Sequence, residues 1–121
     1  MIESLSEYIL NDGEILSLSI EYKNKINLHL DFPIVIIDLK VRISRPKDKW
    51  QYCVLRLKFS DLIEFNLFED FESGNNYSDL TLIQTENNDY YFSLDPFDNK
   101  NEQNKKDNFV IKARKLDFEE I

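Results

Sequence analysis

Between residues 34 and 44, apolar and polar side chains alternate one by one. Val35, Ile37, Leu39, Val41 and Ile43 fall on one side, and Asp38, Lys40, Arg42 and Ser44 on the other. Successive side chains of an extended chain point to opposite faces, so a period of two marks a half-buried strand. The same alternation recurs along the chain. Leu16, Leu18 and Ile20 oppose Ser17 and Ser19, and after a polar turn at Lys23-Asn24-Lys25 the series Ile26, Leu28, Leu30 and Phe32 repeats it, which predicts a hairpin. Pro33, with no amide hydrogen to donate, interrupts the ladder.

Further on, Cys53, Leu55, Leu57 and Phe59 define an inner face opposite Trp50, Tyr52, Val54, Arg56 and Lys58. The phase becomes ambiguous at Leu62-Ile63, which predicts a bend or bulge at Ser60-Asp61 before Phe65 and Leu67 resume it. Residues 72–76 and 87–89 have turn composition, residues 79–85 declare no clear period, and Tyr90, Phe92 and Leu94 begin another strand. Phe109, Ile111 and Ala113 share a face, but Leu116 and Phe118 fall on the other phase, which predicts a bulge or an edge contact near Lys115. Ile2, Leu5, Ile9 and Leu10 suit one or two helical turns that stop before Asn11-Asp12-Gly13. With two glycines in all, the turns rest largely on Asn and Asp. The expected fold is mainly β: an antiparallel sheet, or a two-layer β-sandwich or roll, of about seven or eight strands with a short N-terminal helix.

A chain of 121 residues with 42% hydrophobic content is expected to form one domain over 1–121. The run from Asp98 to Asn108 holds no apolar residue and reads as a mobile loop over 98–108. A single cysteine excludes an intrachain disulfide and fits a reducing compartment. The first residues lack the basic start and apolar core of a signal peptide, and Ile34-Val35-Ile36-Ile37 is far too short to cross a membrane. These features predict a soluble, cytoplasmic protein with no membrane partner.

Groups for catalysis are sparse. His29, the single histidine, alternates outward between Leu28 and Leu30, and Cys53 alternates with core leucines. One histidine and one cysteine do not make a zinc site of the usual type, Asp95 to Glu102 lacks the spacing and glycine of an EF-hand, and Gly13 and Gly74 build no phosphate-cradling loop. Two carboxylates can run acid–base chemistry, yet nothing singles out a pair among 23 acidic residues. The chain is therefore expected not to be an enzyme and to carry no cofactor and no metal. Lys40, Arg42, Arg45, Lys47, Lys49, Arg56 and Lys58 could contact phosphates near Trp50 and Tyr52. The acidic second half opposes that use, so no nucleic-acid partner is expected.

Charge gives the strongest pointer to function. Residues 1–60 carry nine Lys/Arg against eight Asp/Glu, whereas residues 61–121 carry six against fifteen, and the net charge of −8 arises there. Residues 61–98 hold ten carboxylates and eight aromatics with no lysine or arginine. Such a field repels nucleic acid and anionic membranes and attracts basic surfaces. The expected partner-binding residues are Glu64, Glu69, Asp70, Phe71, Glu72, Tyr77 and Asp79, with Phe71 or Tyr77 filling a pocket of the partner. The plain alternative is that the charges keep the protein soluble and the aromatics are core.

The order of segments resembles one family of small bacterial immunity proteins of polymorphic-toxin and contact-dependent inhibition systems. The resemblance covers most of the chain and is carried by loose alternations. They are a polar-acidic lead-in to a hairpin (Leu10-Asn11-Asp12-Gly13-Glu14-Ile15-Leu16-Ser17-Leu18), a strand and bend (Leu55 to Phe65) and a closing strand (Val110 to Phe118). Many relatives carry a His-Asp pair where this chain has Asn11-Asp12. The resemblance implies a cytoplasmic inhibitor that binds one cognate toxin, with no catalytic residues. The function expected from charge and resemblance together is neutralisation of a basic toxin, such as a nuclease, by steric and electrostatic blockade. The alternative is a non-toxin interaction adaptor or a DNA-mimicking inhibitor. The sequence does not specify an oligomeric state.

Overall fold

The computed structural model describes residues 2–22, 33–44, 51–68 and 76–121. Six strands form one antiparallel sheet: β1 (Tyr8–Glu21), β2 (Ile34–Ile43), β3 (Gln51–Asn66), β4 (Thr81–Gln84), β5 (Tyr90–Asp95) and β6 (Asn108–Glu120), in spatial order β1-β2-β3-β6-β5-β4. The fold is mainly β, as the alternation requires, but the described strands make a single curled half-barrel sheet and not two stacked layers. The second arm of the expected hairpin, 26–32, lies outside the described residues; β1 pairs with β2.

β2 and β3 supply the centre of the core. Val35, Ile37, Leu39, Val41 and Ile43 are no more than 1% exposed, and Leu55, Leu57 and Phe59 are fully buried. Cys53, opposite Val41, is partly buried and packs against the same cluster. Curling brings together strands that are not neighbours. The Phe59 ring of β3 meets Phe92 of β5 at 5.2 Å, and Tyr8 of β1 meets Phe118 of β6 edge-on at 6.2 Å. Such contacts need a concave inner face, because each pair is separated by at least one intervening strand.

The N-terminus corrects the helical expectation. Ile2–Leu5 make one 3-10 turn, and Ile9 and Leu10 already belong to β1. Asn11-Asp12-Gly13 does not end an element; it is a wide bulge inside β1. Ile9 pairs with Arg42 and Glu14 with Lys40, so residues 10–13 stand opposite Val41 alone, with Asp12 at φ 59°. A second shift leaves Leu16 without a partner between Ile15, opposite Leu39, and Ser17, opposite Asp38. The expected shared face of Leu16, Leu18 and Ile20 is therefore broken: Ile15 and Leu18 pack on the core, while Leu16 and Ile20 are exposed. A bulge inserts one residue and reverses the phase that follows.

The two phase changes expected at Ser60-Asp61 and near Lys115 are one feature. Phe59 pairs with Leu116 and Leu62 with Ala113, and all four pack inward. On both strands the inward step is three residues, so β3 and β6 turn the same corner together, and the register shifts just beyond it, where Ile63 has no partner between the Leu62–Ala113 and Glu64–Lys112 pairs. Asp61 sits there at φ 54°, its Oδ1 accepting from Arg114 Nη1 at 3.2 Å.

The β1 bulge has a consequence for the opposite edge of the sheet. Asp12 N donates to Ser78 O (2.9 Å), Tyr77 N to Gly13 O (3.2 Å) and Leu80 N to Asn11 Oδ1 (3.1 Å), while Glu14 bridges to Asn76. Residues 76–80 lead directly into β4, so they tie one outer strand to the other and draw the half-barrel toward closure. No helix among the described residues is long and apolar enough to cross a membrane.

Candidate functional site

The sequence-predicted partner residues do not form one patch. Glu69, Asp70, Phe71 and Glu72 lie outside the described residues. Glu64 is exposed on the outer face of β3, beside a depression of about 450 Å³ that Tyr91, Asn104 and Asp107 also line. Asp79 lines a different depression, of about 510 Å³, with Leu5, Asn11 and Leu80. Tyr77 corrects the expectation of an aromatic offered to a partner. It is buried beside Gly13, and its ring belongs to the core cluster. The polar neighbours of Tyr77 concealed this, since burial there depends on the β1 bulge and not on any local period.

The loop from Pro96 to Asp107 is organised by one buried carboxylate. Asp107 Oδ1 accepts from Phe97 N at 2.8 Å, and Oδ2 accepts from Tyr91 Oη at 2.6 Å and Asn104 N at 3.1 Å. Burial, with the Asp107 bond as second cause, raises the Tyr91 phenol well above its ordinary value. Beneath the loop Tyr91 and Ser93 are buried on the outer face of β5, while Phe92 and Leu94 face the core. Both faces of β5 are covered.

At the adjoining end of the sheet, Asn108 opens β6 and its side-chain amide grips the chain just beyond β3. Its Oδ1 accepts from Phe68 N at 2.7 Å, and its Nδ2 donates both to Phe68 O and, at 3.2 Å, to Asp95 Oδ2. Phe68 is thus held by its backbone although the residue is 76% exposed. Phe97, also largely exposed, carries Lys106 Nζ at 4.7 Å from its ring centroid. Phe109, the residue after Asn108, is buried at φ 53°, a conformation costly for a bulky side chain. In the sequence Asn108 is the last residue of a featureless polar run, and nothing local marks Phe68. The clamp joins residues 40 positions apart, so no local pattern carries it.

The cations and carboxylates are differently disposed. Arg56 grips Asp38 through two bonds, Nε to Oδ1 at 2.8 Å and Nη2 to Oδ2 at 2.9 Å, and Ser17 Oγ adds a third at 3.3 Å. The Arg56 hydrogen bonds hold the Asp38 carboxyl below the usual carboxylate range against an opposing push from burial. Arg42 approaches Asp12 at 3.8 Å, and Lys40 Nζ lies 5.0 Å from the Tyr52 centroid. The basic side chains of the outer β2–β3 face are therefore interleaved with carboxylates and an aromatic ring. By contrast, Glu64, Asp79, Glu86 and Asp95 are exposed and form no ion pair among the described residues. No three His, Cys, Asp or Glu side chains among the described residues are grouped to hold a metal ion.

No protein-family model, no curated protein and no solved structure matches the chain.

Proposed function

We propose that this protein acts by binding a basic protein partner, and that the partner is a toxin domain which it neutralises in the cytoplasm in the manner of an immunity protein. One observation carries the reading. Arg42 and Arg56 of the β2–β3 face have carboxylate partners in Asp12 and Asp38, while Glu64, Asp79, Glu86 and Asp95 form no ion pair among the described residues. With a net charge of −8, the surface field is dominated by carboxylates open to a partner. Such a field speeds encounter with a basic surface and disfavours acidic ones. Inhibition needs no chemistry on this side: covering an active site or its substrate channel suffices.

The test is capture followed by co-expression. The purified protein is used as bait in extract of its native cell at low and high salt, and any stoichiometric basic partner is expressed with and without it. Toxicity of the partner that is abolished by co-expression supports the reading. A recovered partner with no toxic activity favours the adaptor alternative. Inhibition of a DNA-binding enzyme, relieved by excess DNA, favours the mimic.

A further inference from the structure

We infer that the rim formed by Phe68, Asp95 and Phe97 is the anchor of the interface, and that Phe68 and Asp95 together receive an arginine side chain of the protein partner. This rests on the reading that the partner is a basic protein, and it moves the contact away from the residues that charge density alone selected.

The first support is the cost of the arrangement. Phe68 and Phe97 are 76% and 58% exposed, and exposed aromatics in a loosely held segment would fold back onto apolar surface. Here both backbones are fixed by consecutive residues leading into β6. Asp107 accepts from Phe97 N, and Asn108 bonds Phe68 N and O at once. The following residue, Phe109, adopts φ 53° while buried. Strained backbone that the surroundings hold in place concentrates at sites of function. A rigid, exposed aromatic loses little conformational freedom when a partner covers it, which suits an anchor residue.

The second support is chemical fit. Asn108 Nδ2 donates to both Phe68 O and Asp95 Oδ2, which sets the Asp95 carboxylate beside the Phe68 residue. Asp95 is exposed and has no ion pair among the described residues. A guanidinium can lie on an aromatic face and fork onto a carboxylate at the same time, which an ammonium does less well. The molecule already makes one half of this contact within itself, where Lys106 sits over Phe97. Phe68, the more exposed of the two, has no such cation among the described residues.

The full-length protein, isotopically labelled, is titrated with three probes followed by amide and aromatic NMR shifts: acetyl-Gly-Arg-Gly-amide, its lysine counterpart and its glutamate counterpart. The expected result is shifts centred on Phe68, Asp95 and Asn108 with the arginine probe, weaker with lysine and absent with glutamate. Asp95→Asn and Phe68→Leu, which keeps the apolar bulk, should each weaken the arginine effect by roughly two- to fivefold, and Phe68→Tyr should retain it. Shifts at Glu64, Asp79 and Glu86 without the rim would overturn the anchor while leaving a basic partner intact. Indifference to Phe68→Leu would overturn it too, as would preferential binding of the rim to zwitterionic lipid vesicles. Once a toxin is in hand, undiminished neutralisation by the Phe68→Leu, Asp95→Asn double variant would reject the anchor without rejecting the function.

Discussion

The Tyr77 phenol fills the space where a side chain at residue 13 would begin. Its Cζ stands 2.7 Å from the Cβ position of residue 13, and the Lys40 carbonyl oxygen is 3.2 Å from the same point. Beside this contact Tyr77 N donates to Gly13 O, so ring and backbone together fasten the segment before β4 to β1. Gly13→Ala should therefore cost about 1–3 kcal/mol, read from urea unfolding, because a buried ring must move. Tyr77→Phe alone should be neutral or stabilising, since the Oη has no hydrogen-bond partner among the described residues. In that background the Gly13→Ala penalty should shrink, because the atom nearest the new methyl group is gone.

Alkaline pH should destabilise the fold through two phenols. Burial raises Tyr77 and Tyr91 above the ordinary tyrosine value near 10, with the Asp107 bond adding to the rise at Tyr91. Each raised group contributes stability that is complete below about pH 10, where the unfolded phenol begins to ionise, and is lost as the pH climbs further. Thermal melts from pH 8 upward should show a decline that is shallower in the Tyr77→Phe variant.

At the acid end the sign reverses. The Asp38 carboxyl is held low by Arg56, so the stability it contributes is present above about pH 4 and disappears as pH falls through its folded value. Arg56→Gln should move the acid-unfolding midpoint to higher pH. An unchanged midpoint in circular dichroism would show that the fork between β2 and β3 does not couple to folding.

Asp61 marks the corner shared by β3 and β6. At φ 54° an aspartate is tolerated, whereas a β-branched side chain is not. Asp61→Val should cost about 1–2 kcal/mol from the backbone alone, and Asp61→Gly less despite losing the Arg114 contact. Guanidinium unfolding of the two variants checks the order.

Asp107→Ala should loosen the 96–107 loop before it unfolds the sheet. The amides of Phe97 and Asn104 lose their acceptor, and the buried Tyr91 hydroxyl loses its own. Stability should fall by about 1–3 kcal/mol. Hydrogen exchange at Phe97 and Asn104 should quicken more than at Leu57 in the core.

Residue order alone shows that the chain is a β protein and which face of each regular strand is buried. Val35 through Ile43 and Leu55 through Phe59 read correctly because a period of two reports directly which side chains share a face. It also located the unbalanced negative charge, since charge is a property of composition. The remaining features come from how the strands pack. Asn11-Asp12-Gly13 reads as a stop signal, yet it is a bulge that reaches across to residues 76–80. Tyr77 sits among polar neighbours, yet it is core because Gly13 leaves room for its ring. Asn108 looks like one more polar residue in a loop, yet it fixes Phe68 forty residues away. Bulges, clamps and closures depend on which strand lies beside which, and local alternation holds no information about that pairing.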